Sequence, residues 1–453
     1  MRFLKAFAVA CVTAAASVSP AWAQSLIRDT EIEHMLRDYT DPLLVAAGLQ
    51  PNDVNLYIIA DPTINAFVTG GQNIFTHTGT IVQAETPNQL KGVLAHETGH
   101  ISGAHLARMS DGMQAAQVPM YVSIGLGLLA AMAGEGGAAS ALLASSQQFG
   151  ALQFFTYTRA QESAADQAAL NFMDASGQSG EGLVSFFERF RYQEVMSQAR
   201  RFPYFRSHPL SSARIVALRD NVIAAENYGV TDSPEEIEQL QRIQAKIYGF
   251  ISSPDQVFYR YPVEDISLPA RYARAVAYYR QAKLDEARIE IESLVEEEPE
   301  NPYFRELYGQ MLFESGRIAE SIPHHALSVE LEPSAPLLRI NLAIAMIATE
   351  NPDYLEEASQ HLRVALNIEP DNSFAWYQLS IVHERNGETA MAQLAIAEQA
   401  FSVGNKMRAN QFAMRARTSL ETGTPAWFRA TEIESASQLT RAEMRQIRRR
   451  QQN

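Results

Sequence analysis

The sequence predicts two folded parts in succession: an α+β domain, mostly helical with a small β-sheet, and then an all-α solenoid. Three observations carry this expectation. Short β-branched and glycine-containing runs between residues 54 and 81 precede long amphipathic helical patterns, the order of an α+β domain. A period of 34 residues then runs from about 268 to 405. Finally, 453 residues that are 46% hydrophobic and 20% charged can fill two or three cores, so disorder is not the default state. The 37 Lys+Arg against 52 Asp+Glu give a net charge of −15, which offers no broad positive field to a phosphate backbone. Nucleic acid is therefore not an expected partner. The single cysteine excludes an intramolecular disulfide, a Cys-rich zinc module and a thioredoxin motif.

Residues 1–23 (MRFLKAFAVACVTAAASVSPAWA) read as a secretory signal peptide: two cations, an apolar core and Ala21-Trp22-Ala23 as a small-x-small cleavage site. The core is too short for a spanning anchor and is broken by Ser17 and Pro20; lipidation at Cys11 is a weaker rival. Cleavage leaves a chain with no cysteine and a net charge of −17, expected in a bacterial periplasm. Any catalysis there must rest on His, Asp, Glu or a metal. Residues 27–47 predict a helix opened by a Thr30-x-x-Glu33 capping box, with Ile32, Leu36 and Tyr39 on one stripe. Residues 54–60 (VNLYIIA) predict a strand, and 64–81 a hairpin around Gly70-Gly71. Thr86-Pro87-x-Gln89 starts the next helix, which carries LKGVLAHETGHISGAHLARM. Val118–Ala133 is the most apolar stretch of the mature chain, yet too short to span a bilayer. Buried helical packing is its first expectation and peripheral membrane contact the alternative. Residues 159–175 predict an Ala-rich helix, and a further helix from Ser233 to Gly249 closes the first domain.

Beyond it the chain repeats. Ala287, Ser321, Ala358 and Ala392 are 34, 37 and 34 residues apart, and Pro299, Pro333 and Pro370 are 34 and 37 apart. The three-residue excess falls at Glu350-Asn351-Pro352-Asp353 in both registers. A small residue at a helix crossing and a proline after the second helix mark the tetratricopeptide repeat. The expected domains are thus a signal peptide (1–23), a first domain (24–249), a repeat domain (250–420) and a polar, basic tail (421–453). His324, His325, His361 and His383 fall in the repeats with no common metal spacing and are expected on the surface or in the groove.

The chemistry gathers elsewhere. His96-Glu97-Thr98-Gly99-His100 lies within a capped helix, where residues four apart share a face, so both imidazoles can reach one metal. Glu97 lies one step round, placed to take a proton from water that the metal acidifies. A catalytic zinc also needs a third protein ligand and an open position. His105 is one candidate, but on a continuing helix it lies about 140° round from His100. Glu162 is the better one: Asp166 follows one turn later and can accept the spare N–H of a ligand histidine. Ala164, Ala165, Ala168 and Ala169 let its helix approach the first closely. His77 is expected as a strand-face residue rather than a ligand.

These motifs, with Asn65-Ala66-Phe67 and Gly70-Gly71 before them and His208-Pro209-x-x-x-x-Arg214 after them, resemble the HEXXH gluzincin peptidases that include HtpX and the CAAX prenyl proteases. The leader and the repeats resemble their periplasmic BepA-like branch. The resemblance implies a zincin-like metallopeptidase domain with one Zn2+ on His96, His100 and Glu162, and Glu97 as general base. It places His208 at the active site, either stabilising the oxyanion or sitting on the open zinc position as a removable fourth ligand. Asp166, Arg214 and His105 become supporting residues, and Asn65, Ala66 and Phe67 line the substrate, which adds as a strand beside the hairpin. The implied activity is hydrolysis of misfolded or stalled outer-membrane proteins, with the repeats recruiting an envelope assembly complex or the client. The rival expectation is a repeat-based chaperone or adaptor whose peptidase is largely latent.

Overall fold

A computed structural model describes residues 26–132, 136–196, 204 and 208–438. The expected signal peptide and the basic Arg441–Arg450 segment lie outside the described residues. The first helix, α1 (Thr30–Ala46), is capped by Asp29 rather than Thr30. The Asp29 carboxylate accepts from the Ile32 N–H at 3.0 Å, and Glu33 accepts from the Asp29 N–H at 3.1 Å. The reciprocal box is present one residue earlier than the Thr-x-x-Glu spacing suggests, because aspartate serves as well as threonine at this position.

Four short strands form a mixed sheet of order β1-β2-β4-β3: β1 (Leu26–Ile27), β2 (Asn55–Ile59), β3 (Ala66–Thr69) and β4 (Asn73–His77). β2 and β4 run parallel, whereas β3 and β4 form the antiparallel hairpin. Gly70 and Gly71 turn it at φ of 63° and 102°, a region closed to most side chains. The hairpin ends four residues early, because Thr78–Gln83 folds as helix α2. The Thr78 hydroxyl donates to Asp61 O (2.9 Å) and Thr80 to Asn65 O (2.7 Å), so local side-chain bonds replace the strand ladder there. Tyr57, Phe75 and Phe67 stack across the strands at 4.8 and 5.2 Å.

Helices α3 (Pro87–Ser102), α4 (Met109–Met132), α5 (Gly136–Ala175), α6 (Glu181–Met196), α7 (Ser212–Ala224) and α8 (Pro234–Ile251) follow. α3 begins as expected, with Thr86 accepting from the Gln89 N–H and Pro87 in the first turn. α5 is 40 residues long and starts well before 159. α4 packs along it, yet Val118, Tyr121, Val122 and Leu126 stay exposed. Buried packing therefore does not hold for the described side chains of 118–126, where Ser123 alone is fully buried; the side chains of 127–133 lie outside the described residues.

The contacts divide the chain into two units, one taking in Met35–Leu240 with the chain before Asp29, the other Asp29–His34 with the chain from Gln241 on. After α9 (Pro254–Arg260), the second unit is an array of helix pairs: α10/α11 (Leu268–Arg280, Leu284–Glu297), α12/α13 (Pro302–Glu314, Ile318–Leu331), α14/α15 (Pro336–Ala348, Leu355–Ile368), α16/α17 (Ser373–Arg385, Thr389–Ser402) and α18/α19 (Lys406–Ser419, Pro425–Ala436). The last pair extends past residue 420, into the stretch expected to be tail. Ala287, Ser321, Ala358 and Ala392 are all buried, as a crossing requires. The proline carbonyls recur functionally too: Pro299, Pro333 and Pro370 accept from Arg305, Arg339 and Trp376, each six residues on. The three extra residues form a separate turn, with Glu350 at φ 59° before Pro352–Tyr354.

His325 and His383 are buried in the packing rather than lying in a groove. Burial, with His324 alongside, lowers His325 to about 4. The folded repeats therefore hold it neutral, while an unfolded chain takes up a proton below about pH 6.5. This contribution to stability is complete above pH 6.5 and is lost as pH falls towards 4. Between pH 7 and pH 5, urea unfolding should register a loss of about 2 kcal/mol that His325→Leu does not share; parallel pH profiles for the two proteins would contradict it.

Candidate metal centre

The site is built where α3 and α5 cross. A Cβ on Gly99 would lie 2.7 Å from the Ala165 carbonyl oxygen and 3.0 Å from its Cα, so only glycine permits this approach. Ala165 and Ala169 form the buried face of α5 here, while Ala164 points to solvent. The crossing sets His96 and His100 against Glu162, and the turn before α7 brings in His208. Their ligand atoms all lie within 4.8 Å of one another. His96 Nε2 is 3.1 Å from His100 Nε2, 3.3 Å from His208 Nδ1 and 3.5 Å from Glu162 Oε2. Glu162 also lies 3.4 Å from His100 Nε2 and 3.2 Å from His208 Nδ1. Tetrahedral zinc bonds of about 2.0–2.1 Å imply ligand–ligand edges of roughly 3.3–3.4 Å, so the spacing suits that geometry.

The orphaned groups point the same way. Both carboxylate oxygens of Glu97 are buried without a hydrogen-bond partner, the arrangement of a site that needs a further group. Burial pushes Glu97 up, opposed by His208 and His96. Burial would depress His96, but hydrogen bonds to Asp166 and Glu162 outweigh it and raise His96 to about 9. His100 is pushed down to about 2 by burial and by His96 and His208 beside it. For Glu162, burial raises the carboxyl, yet hydrogen bonds to His208 and His96 hold it well below the usual carboxylate range.

The supporting residues converge as well. Arg214 grips Asp166 with two bonds of 2.7 Å, and Asp166 Oδ1 stands 3.0 Å from His96 Nδ1. The same guanidinium reaches Glu162 at 3.1 Å and donates to Pro209 O at 2.8 Å, tying the His208 turn to α5. α3 ends at Ser102, so the 140° displacement expected of His105 does not apply. Ala104 at φ 50° folds the chain back and sets His105 Nδ1 3.0 Å from His100 Nδ1, outside the four-atom cluster. His77 is buried at the end of β4 near Thr63 and Asn65, away from the cluster. Asn65 leads into β3, where Ala66 is buried and Phe67 stacks on Phe75. Sequence reasoning passed over Tyr204 and Phe187, whose rings lie against His96; neither belongs to a spaced motif.

Residues 28–222 match the model of peptidase family M48. The chain is 25% identical over 410 residues to the putative beta-barrel assembly-enhancing protease of Vibrio cholerae, covering 89% of this chain and 83% of that protein. It is 24% identical to the beta-barrel assembly-enhancing protease of Yersinia pestis (72% and 68% covered) and 25% to that of Escherichia coli (78% and 72%). Solved structures that align include MamA, at 18% identity, TM-score 0.29, 36% of this chain and 91% of that one. Another is YrrB, a TPR protein with an unusual peptide-binding site, at 17%, TM-score 0.32, 38% and 89%. The chain is a metallopeptidase whose residues 28–222 are similar to family M48.

Replacing Gly99 by alanine should force α3 and α5 apart. We expect a stability loss of about 1–3 kcal/mol together with loss of stoichiometric metal. Full metal content and unchanged unfolding would show that the crossing tolerates the extra methyl.

Proposed function

We propose that the protein is a periplasmic zinc endopeptidase that hydrolyses misfolded or stalled outer-membrane proteins, with the repeats recruiting the client or an envelope assembly complex. The observation that carries this is the convergence of His96, His100, Glu162 and His208 beside the Glu97 carboxylate, which has no hydrogen-bond partner. His96, His100 and Glu162 would hold one zinc per chain. When bound, it supplies Lewis-acid chemistry, polarising the scissile carbonyl and acidifying water. Glu97 takes the proton of the attacking water on a carboxylate oxygen and delivers it to the leaving amine. Its burial raises its basicity towards that task. Asp166 fixes the ring and tautomer of His96, and Arg214 fixes Asp166. His105 orients His100 in the same manner. β3 ends the sheet order, so its outer edge can pair with an extended substrate backbone at Asn65, Ala66 and Phe67. The names of the relatives support barrel assembly as the setting.

His208 supports a second element of the reading. Its Nδ1 lies among the ligand atoms while Nε2 is 3.6 Å from Glu97 Oε1, which supports a role as a removable fourth ligand that would take the position water needs. The resting enzyme is latent, which accommodates the chaperone or adaptor alternative without a separate site.

Glu97→Gln should keep zinc and lose hydrolysis by roughly 100-fold to 10,000-fold. His96→Ala, His100→Ala and Glu162→Ala should lose the metal; full zinc in Glu162→Ala would reject the ligand set. His208→Ala should hydrolyse casein faster than the wild type if it is a plug, and slower with unchanged zinc if it stabilises the transition state. For the repeats, Gln378 is buried, whereas Phe374 and Tyr377 on the same first helix are exposed. A photo-crosslinker at 374 or 377 should trap the recruited partner in cells, and a result no different from a crosslinker at exposed Ile289 would reject recruitment through this face.

A further inference from the structure

Among the described side chains, the α4–α5 pair buries hydroxyls and leaves several large apolar groups exposed. Where the two helices meet, the buried residues include Ser123 and Ser146, at 4% and 5% exposure, and the Ser123 hydroxyl donates to Leu142 O across the contact at 2.8 Å. Elsewhere round α4, Val118, Val122 and Leu126 form an i, i+4, i+8 ridge, each more than half exposed, with Tyr121 beside it; Leu152 of α5 is 61% exposed. A helix pair in water places its apolar stripe inward and its polar residues outward. Hydroxyl residues at the contact, with apolar residues facing out, is the pattern of helices packed in lipid. Charge agrees: between Asp111 and Arg159 the only charged residue is Glu135.

We infer that this hairpin lodges in one leaflet of a lipid bilayer and holds the peptidase at a membrane surface. No helix among the described residues is long and apolar enough to cross a membrane. The stretch from Val118 to Met132 rises about 22 Å, against a leaflet core of about 15 Å, so it fits when tilted. With no Lys or Arg between 112 and 158, the attachment is hydrophobic and needs neither anionic lipid nor low salt. A second copy of the chain is the competing occupant, but a dimer interface leaves no reason for the serines to face inward. The site at His96 and His100 is not altered by this attachment, so the inference stands or falls independently of the proteolytic reading.

The test is flotation of the purified full chain with vesicles of phosphatidylcholine and phosphatidylethanolamine, at 0.15 M and 1 M NaCl. We expect equal binding at both salts, no gain from added phosphatidylglycerol, and at least a tenfold loss in Val122→Asp. Leu152→Ser, a milder change on α5, should lose binding in part; metal content and thermal unfolding show that both variants remain folded. Three results would overturn the inference: no flotation, binding that requires anionic lipid and vanishes in 1 M salt, or a wild-type dimer by sedimentation that Val122→Asp dissociates without any lipid binding.

Discussion

Everything in the metal centre depends on the contact between the backbone of α3 at Gly99 and the backbone of α5 at Ala165. Neither helix alone holds a complete site. α3 contributes two imidazoles and a carboxylate on adjacent faces, and α5 contributes Glu162 with Asp166 one turn later. A side chain at Gly99 would meet the Ala165 carbonyl at 2.7 Å. Because ligand atoms must meet within tenths of an ångström, a shift of one methyl radius between the helices is enough to separate them.

That geometry concentrates groups that a stable core would avoid. His96, Glu97, Glu162, Asp166, His208 and Arg214 are all buried within one small volume. Arg214 offsets much of the cost, with two bonds to Asp166, one contact to Glu162 and one bond to the Pro209 carbonyl. Glu97 is left without a hydrogen bond, and a buried carboxylate in that state is destabilising by more than an ordinary lost hydrogen bond. A fold keeps such a group where function demands it. The α4–α5 hairpin is a second departure of the same kind, with apolar side chains exposed instead of a carboxylate buried.

Much of this was legible in the sequence because it rests on local periodicity. Helical spacing put His96 and His100 on one face, and Glu162 and Asp166 on one turn. The 34-residue period located every helix crossing of the repeats through to Ala392, together with the three-residue insertion. What stayed hidden depended on where elements stop. The position of His105 followed from α3 ending at Ser102 and from Ala104 adopting positive φ, neither of which periodicity reports. The burial of His325 depended on which side of α13 faces α12, and α4 misled because an apolar run reads the same whether it faces a core or an apolar medium. Tyr204 and Phe187 came to His96 through tertiary packing alone.

The central claim is that one zinc sits among His96, His100, Glu162 and His208 in the resting protein. Zinc K-edge X-ray absorption on the wild type and on His208→Ala tests it most directly, because imidazole rings leave a distinct outer-shell signal. The account predicts one zinc per chain, four light-atom ligands at about 2.0–2.1 Å, and three imidazoles that fall to two in His208→Ala. Two imidazoles in both proteins would remove His208 from the metal, and a sulfur-free site with fewer than two imidazoles would contradict the assignment of His96 and His100.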